Sequence, residues 1–402
     1  MIGFYQCRLL GPARRYDLTM QVPFFRLNVT DAMRSSVDEV IASGWLTSGP
    51  KVQAFEAAFA EAVGATHAIA VNSCTAALHL ALEAIGVGPG DRVLVPTMTF
   101  AATAEVVRYL GADPVLCDVC PKTALLTPEI VEQSLAANPD ISVCMPVHFG
   151  GLPCDMAAIT KICTQHNVRI VDDAAHAFPA SDNGCSVGTL ADVSCFSFYA
   201  NKTLTTGEGG MLVTNDDAIA ARARVMRLHG MDRDAWGRFT VETAKWEYDI
   251  IAPGYKYNMP DIAAALGLTQ IEHAINDRDK RTTIARTYDD AFASLNTMRA
   301  CGTRDRVNHA WHLYWIVLDD SAPLHRNACI DALQEAGVST SVHYKPLHRM
   351  RYWQERLGLK TADFPGAESI WHGCISLPIF PDLQPNEQTH VIEVLQRILP
   401  PK

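Results

Sequence analysis

The sequence predicts an α/β protein with a mostly parallel central sheet, helices on both faces of that sheet and a smaller C-terminal α+β domain. From about residue 53 to 215, short apolar runs alternate with amphipathic helical segments, which is typical of parallel strands linked by crossover helices. The last third of the chain instead combines long helical patterns with isolated apolar runs. The 402 residues, 48% of them apolar and 19% charged, can fill a large core.

The elements follow from the residue patterns in chain order. The expected strands of the central sheet are HAIAV (67–71), RVLVP (92–96), DPVLCDV (113–119), SVCMPVH (142–148) and RIVDDA (169–174). Helical spacing of apolar residues predicts helices over 54–64, 75–86, 101–111 and 154–166. We expect one long helix over 261–295, strands at 312–318 and 338–344, and a final helix over 387–399. These patterns divide the chain into an N-terminal tail (1–20), a large domain (21–268) and a small domain (269–402).

Charge and cysteine usage exclude several classes of function. The 34 Lys and Arg against 44 Asp and Glu give a net charge of −10, and no basic block suited to a phosphodiester backbone is present, so nucleic acid is not an expected partner. No run approaches the roughly 20 apolar residues that a membrane span needs, and the N-terminus lacks the apolar core of a secretion signal. Most of the 12 cysteines lie in apolar runs, so reduced thiols and a cytoplasmic protein are expected.

Lys202 is the first candidate for chemistry, because it follows an apolar run and precedes a glycine-rich turn in SCFSFYANKTLTTGEGG. Most lysines simply reach the surface. A desolvated lysine, in contrast, has a lowered pKa and can form a Schiff base with a carbonyl group. Position in the sequence alone leaves both readings open.

Two further stretches of the sequence are candidates for the same ligand site as Lys202. Asp172 and Asp173 end the expected strand RIVDDA, where ligands of open α/β sheets bind. The acids could equally cap the next turn, and strand alternation allows only one of them to face a site. In VNSCTAALHLAL, residues Ser73, Cys74 and Thr75 lead into a helix whose N-terminus could hold a phosphate. Serine and threonine are also ordinary helix caps.

Together these phrases resemble the DegT/StrS family of sugar aminotransferases, which use pyridoxal 5′-phosphate (PLP) and have the fold type I of aspartate aminotransferase. The resemblance extends from about residue 23 to 400 and includes NSCTAALHLAL, PTMTFAATAEVV, VDDAAHAF, SCFSFYANKTLTTGEGGM, GYKYNMPD and AWHLYWIVLD in family order. It implies a homodimer whose subunits share their active sites.

The resemblance also implies roles for individual residues. Lys202 would hold PLP covalently, Asp173 would pair with its pyridine nitrogen, and Phe100 would stack on its ring. The implied phosphate contacts are Ser197 and the Ser73–Thr75 stretch, together with Lys256 or Asn258 from the partner subunit, where many relatives have GYNYR instead of GYKYN. His176 matches a position beside the cofactor, and the resemblance makes Trp45, His343 and His348 weaker candidates for sugar or donor contacts.

Within the family, GYKYNMPD, HGMDRDAW and AWHLY are most similar to the enzyme that transaminates a UDP-4-keto-pentose for lipid A modification. The implied activity moves an amino group from L-glutamate to the C4 keto group of a nucleotide-activated sugar, a UDP-4-keto-pentose or a 4-keto-6-deoxyhexose. Cell-surface polysaccharide, lipid A or antibiotic sugars would be the products. Two alternatives remain: a PLP-dependent sugar dehydratase of the same family, in which histidine replaces the lysine, and a non-catalytic regulator with the same fold. Neither a metal nor a further cofactor is expected.

Overall fold

The computed structural model describes residues 20–232 and 248–400. The predicted N-terminal tail therefore lies, except for Met20, outside the described residues, as does the second half (233–236) of the HGMDRDAW phrase. The central sheet has seven strands in the order β1-β9-β8-β5-β4-β2-β3. Its strands are β1 (His67–Val71), β2 (Arg92–Pro96), β3 (Asp113–Cys117), β4 (Ile141–Cys144), β5 (Arg169–Asp173), β8 (Val193–Ser197) and β9 (Gly210–Thr214).

The sheet is parallel except around β9, which pairs antiparallel with both β1 and β8. The accompanying helices are α1 (Asp31–Ser43), α2 (Pro50–Val63), α3 (Cys74–Ala84), α4 (Ala102–Tyr109), α5 (Pro128–Ala137), α6 (Met156–Gln165) and α7 (Asp217–Met226). Separate apolar clusters pack on the sheet: one is centred on α3, and another on α5 and α6. The mostly parallel α/β prediction is thus confirmed.

The C-terminal part contains a second sheet of three antiparallel strands in the order β10-β12-β13, together with several helices. Its elements are α8 (Asp261–Ile271), α9 (Ala274–Phe292), β10 (Met298–Ala300), β11 (Val307–Asn308), β12 (Tyr314–Leu318), α10 (Arg326–Glu335), α11 (Arg351–Leu357), α12 (Pro365–Trp371), β13 (Cys374–Leu377) and α13 (Pro385–Ile398). Strand β11 instead joins the small strands β6 (Ser181–Asp182) and β7 (Cys185–Ser186). None of the helices within the described ranges is long and apolar enough to cross a membrane.

Two predicted elements differ in the structure. The single helix expected over 261–295 is two helices, α8 and α9, because a tight turn in which His273 N bonds to Gln270 O separates them. The apolar spacing continues across this turn, so periodicity could not reveal it. The strand expected over 338–344 does not form: only Val338 and Ser341 make isolated bridges. Beyond them the chain leaves the sheet, and His343 and Tyr344 line a cavity.

Candidate active site

A cavity of about 480 Å³ lies at the carboxyl ends of β5 and β8, beside the N-termini of α3 and α4. Nine of the predicted site residues line it: Ser73, Cys74, Thr75, Phe100, Asp173, His176, Ser197, Lys202 and His343. Strands β5 and β8 are parallel neighbours, with Asp173 opposite Cys195. The sheet therefore brings together residues that are more than a hundred positions apart in the chain.

Lys202 lies in the turn after β8, where its backbone N–H donates to Tyr199 O. Its Nζ is 3.5 Å from Nε2 of His312. Burial lowers the pKa of Lys202 from 10.5 to about 8, although the nearby Cys74 and Asp173 oppose this shift. At pH 7 about a tenth of this amine is therefore unprotonated, far more than for a lysine with the ordinary pKa, as a nucleophilic lysine requires.

Asp173 is 6% exposed and faces the same cavity. Its Oδ2 accepts a hydrogen bond of 2.7 Å from Thr103 Oγ1, and its Oδ1 accepts one of 3.1 Å from Ala175 N. Burial raises the pKa of Asp173, whereas the two hydrogen bonds and Lys202 lower it. Thr103 thus orients the carboxylate, a role that nothing in the phrase PTMTFAAT indicates.

Asp172 points to the other face of the sheet and is fully buried. Ser194 Oγ donates to its Oδ2 at 2.9 Å, and His148 Nε2 lies 3.3 Å from the same oxygen. His148 Nδ1 accepts a hydrogen bond from Cys154 N, so Nε2 carries the ring proton that faces the carboxylate. Of the two adjacent acids, Asp173 lines the cavity and Asp172 lies within the core.

His176 is held on both ring nitrogens. Its Nδ1 accepts a hydrogen bond of 3.1 Å from Gly150 N, and its Nε2 is 3.0 Å from Tyr344 Oη. Burial lowers the pKa of His176 well below 6.5, as Lys202 and His343 also do, so the ring is neutral and its Nε2–H donates to Tyr344. His312 packs against it with ring centroids 4.4 Å apart. Tyr344 and His312 were absent from the sequence-based site, although His312 lies within the quoted phrase AWHLY.

The N-terminus of α3 forms one wall of the cavity. Ser73 caps this helix, since its Oγ accepts a hydrogen bond from Ala76 N. A Cβ at position 210 would lie only 2.5 Å from the Ser73 carbonyl carbon, so glycine is needed there for β9 to approach the cap closely. Free backbone N–H groups at this end, with Thr75 and Ser197 beside them, suit an anion such as a phosphate.

Phe100 and His343 complete the lining of the cavity. Phe100 is 60% exposed, and its ring centroid lies 5.9 Å from that of Tyr344. An exposed aromatic ring within a cavity has a free face for a planar ligand. His343 Nδ1 is 2.8 Å from Ser376 Oγ, and burial lowers the His343 pKa to about 4.

Four predicted residues do not line this cavity. His348 is fully buried between Thr97 and Glu368, to which its ring nitrogens lie at 2.8 and 2.7 Å. Trp45 Nε1 donates to Ser48 O, outside the cavity lining. Lys256 Nζ donates to Asn258 Oδ1 at 2.6 Å, and Asn258 Nδ2 donates to Ser48 Oγ. These two residues lie outside the cavity of their own chain.

Comparisons with known proteins agree with this geometry. The model of the DegT/DnrJ/EryC1/StrS aminotransferase family matches residues 28–396. The spore coat polysaccharide biosynthesis protein SpsC of Bacillus subtilis (strain 168) is 43% identical over 365 residues, covering 90% of this chain and 93% of SpsC.

Two solved structures are similar over nearly the whole chain. Spr1654 from Streptococcus pneumoniae, known in PLP and PMP forms, superposes in its PMP form with a TM-score of 0.87 at 30% identity, covering 94% of this chain and 98% of Spr1654. PseC of Helicobacter pylori, an aminotransferase of pseudaminic acid biosynthesis, superposes with a TM-score of 0.87 at 25% identity, covering 94% of this chain and 99% of PseC.

Proposed function

We propose that this chain, which belongs to the DegT/DnrJ/EryC1/StrS aminotransferase family and is a PLP-dependent sugar aminotransferase, transfers the amino group of L-glutamate to the C4 keto group of a nucleotide-activated sugar. A UDP-4-keto-pentose and a 4-keto-6-deoxyhexose nucleotide are the substrate classes that the resemblance suggests. The observation that carries this proposal is the placement of Lys202, with a pKa of about 8, in one cavity with the buried carboxylate of Asp173.

The residues of the cavity fit PLP. The amine of Lys202 can bind its aldehyde, Asp173 can pair with its pyridine nitrogen, and the free face of Phe100 can stack on its ring. The N-terminus of α3, with Thr75 and Ser197, suits its phosphate. When bound, PLP supplies an electron sink that makes the Cα–H bond of an amino donor acidic.

The chain's own groups account for positioning and proton transfer. Lys202, once released, is the base that removes the proton from Cα of the donor, and its lowered pKa suits a base that works near neutral pH. The hydrogen bonds from Thr103 and Ala175 N–H favour the ionised form of Asp173 and fix the direction of its carboxylate. His176 stays neutral and, through Tyr344, fixes the wall of the cavity.

Lys202 and the intact set of cavity residues favour transamination over the two alternatives. A dehydratase of this family would have histidine in place of Lys202, and a regulator without catalysis would not need an amine with a lowered pKa. The name of SpsC refers to spore coat polysaccharide and that of PseC to pseudaminic acid. Both support a cell-surface sugar product. The described cysteines are all free, which supports our proposal of a cytoplasmic location.

We also propose a homodimer with shared sites, because Lys256 and Asn258 lie outside their own chain's cavity while the resemblance assigns one of them to the partner's phosphate. Each variant, Lys256→Ala and Asn258→Ala, would be mixed in turn with Lys202→Ala. Activity should return to about a quarter of wild type for the residue that binds the phosphate, since half of the dimers are mixed and each has one intact site. No return with either variant, despite verified subunit exchange, would argue against shared sites.

The substrate is tested with the pyridoxamine-loaded protein and a panel of UDP-, GDP- and dTDP-4-keto sugars. Loss of the pyridoxamine absorbance together with formation of the amino sugar, followed by mass spectrometry, should occur with at least one of them. Lys202→Ala protein loaded in the same way is the control, because it retains the fold but lacks the base. Release of water from the sugar without amino transfer would instead indicate a dehydratase, and no reaction with any keto sugar would contradict the proposal.

A further inference from the structure

A second cavity, of about 300 Å³, adjoins the first, and Asn201 and Lys202 line both. Its other walls come from residues 25–33, from the end of α8 and the start of α9, and from the loop 379–382. Its volume is at the small end of the range for pockets that bind small molecules. The cavity therefore suits a ligand of amino-acid size better than a nucleotide sugar.

Arg281, on α9, carries a buried charge in this cavity. The residue is 7% exposed, and its Nη1 has no hydrogen-bond partner among the described residues. Burial lowers the pKa of Arg281 to about 10, while Asp277 and Asp382 oppose this shift from a distance. The guanidinium is still protonated at neutral pH, so it is a desolvated cation that no carboxylate within 4 Å neutralises in residues 20–232 and 248–400. Such an arrangement is costly unless an anion completes it.

Apart from Lys202, the other arginine and lysine side chains that line the cavity are already paired. Arg26 forms an ion pair of 2.6 Å with Glu387, and Lys280 forms one of 3.0 Å with Asp277. Besides Lys202, Arg281 is therefore the arginine or lysine of the described lining that is available to an added anion. It also lies close enough to His312 to lower the pKa of that histidine, and His312 contacts Lys202 Nζ. His312 thus interacts with both the unpaired charge of Arg281 and the amine of Lys202.

A second unsatisfied group of opposite polarity lines the same cavity. The amide oxygen of Asn201 is buried, and no donor within the described ranges reaches it. We infer that the second cavity is the binding site of the amino donor, with a carboxylate of the amino acid on the Arg281 guanidinium and its ammonium group towards Asn201. This inference rests on the proposed transamination, and it gives the carboxylate of the donor a contact that the keto sugar does not use.

Binding is measured first, by calorimetric titration of the pyridoxal form with glutarate, a dicarboxylate that has no amine and cannot react. Arg281→Met should weaken glutarate binding at least about 10-fold, the effect of losing one charge-assisted hydrogen bond. Arg278→Met is the matched control. It removes a guanidinium from the same helix that is paired with Asp279 and lies outside the cavity lining, so binding should remain at the wild-type value.

Measuring the two half-reactions separately shows which substrate provides the anion that binds Arg281. The alternative to the donor carboxylate is a phosphate of the sugar nucleotide. In Arg281→Met the conversion of the pyridoxal form by L-glutamate should fall at least about 10-fold, whereas the conversion of the pyridoxamine form by the keto sugar should stay unchanged. An equal fall in the sugar half-reaction would place the nucleotide phosphate on Arg281 and overturn the inference. Full glutarate binding by Arg281→Met would overturn it too.

Thermal melting distinguishes a ligand site from a structural role. Removing an unpaired buried charge should leave the melting temperature of unliganded Arg281→Met equal to or above that of wild type. A clearly lower melting temperature would mean that the guanidinium has a partner in the folded protein, which overturns the inference. Wild-type protein that binds glutarate through Arg281 but never reacts with L-glutamate would retain the carboxylate site while refuting the proposed donor.

Discussion

Asp173 and Asp172 are neighbours in the chain, yet strand β5 places their side chains in two different regions of the molecule. On one face, Asp173 shares a cavity with Lys202 and receives hydrogen bonds from Thr103 and a backbone N–H. On the other face, Asp172 is enclosed with Ser194 and His148. Both acids are buried, so burial alone does not distinguish them.

The difference lies in what each region leaves open. The Asp173 side has a cavity of about 480 Å³ and an amine with a lowered pKa. Asp172 does not line this cavity, and its hydroxyl and imidazole partners come from the core itself. A buried acid that faces a cavity beside a second titratable group indicates a catalytic or binding role. A buried acid whose partners lie in the core indicates a contribution to the stability of the fold.

The largest effect is expected from Lys202→Ala, which removes the amine on the cavity side. Turnover should be lost, and borohydride should no longer attach the cofactor to the protein, whereas in wild type it labels the peptide that contains Lys202. The circular dichroism spectrum should stay unchanged, because the side chain faces the cavity. Full turnover by this variant would refute the assigned role.

The two acids are compared directly by replacing each with asparagine. Asp173→Asn removes a charge from the cavity and should lower kcat by at least about 10²-fold, corresponding to roughly 3 kcal/mol. Asp172→Asn should keep kcat within about threefold but lose about 1–3 kcal/mol of unfolding free energy, because the buried partners lose a charged acceptor. Steady-state rates and denaturant unfolding measure both effects. The reverse order would show that the strand presents the other acid to the cavity.

A smaller effect is expected from the hydroxyl groups that orient the acids. Thr103→Val removes the 2.7 Å bond to Asp173 and should raise the pKa of that acid further and reduce kcat by about 10-fold. Ser194→Ala removes the corresponding 2.9 Å bond to Asp172 and should cost about 1 kcal/mol of stability with full activity. Equal losses of kcat in both variants would mean that the two faces are not independent.

The smallest expected effect is a shift in the pH midpoint at which the apoprotein captures PLP. The apoprotein should capture PLP faster as pH rises through about 8, because only the unprotonated amine of Lys202 attacks the aldehyde. The charge of Asp173 raises this pKa, so Asp173→Asn should move the midpoint to lower pH, while Asp172→Asn should leave it near the wild-type value. Stopped-flow absorbance across the pH range measures the midpoint. A midpoint near the ordinary value of 10.5 in wild type would contradict the effect of burial.

The sequence was sufficient for the central sheet and for most of the cavity lining, since apolar runs locate the strands and the family phrases mark their ends. It was insufficient where contacts join distant segments. Thr103, His312 and Tyr344 acquire their roles only when α4, the segment before β12 and the 338–344 segment come into contact with Asp173, Lys202 and His176. His348 lies away from the cavity, which the sequence could not show, because a histidine between Thr97 and Glu368 cannot be distinguished in sequence from one beside a ligand.

The position of β9 between β1 and β8 has a consequence for synthesis on the ribosome. Strand β1 is at one edge of the sheet and its described strand partner is β9, so His67 must wait for Thr214 before it is paired. Pairing across so long a loop is slow compared with local helix formation. A nascent chain that stops before residue 210 would therefore expose an unpaired apolar strand. Strand β1, the first strand of this sheet to be translated, is therefore among the last to be paired.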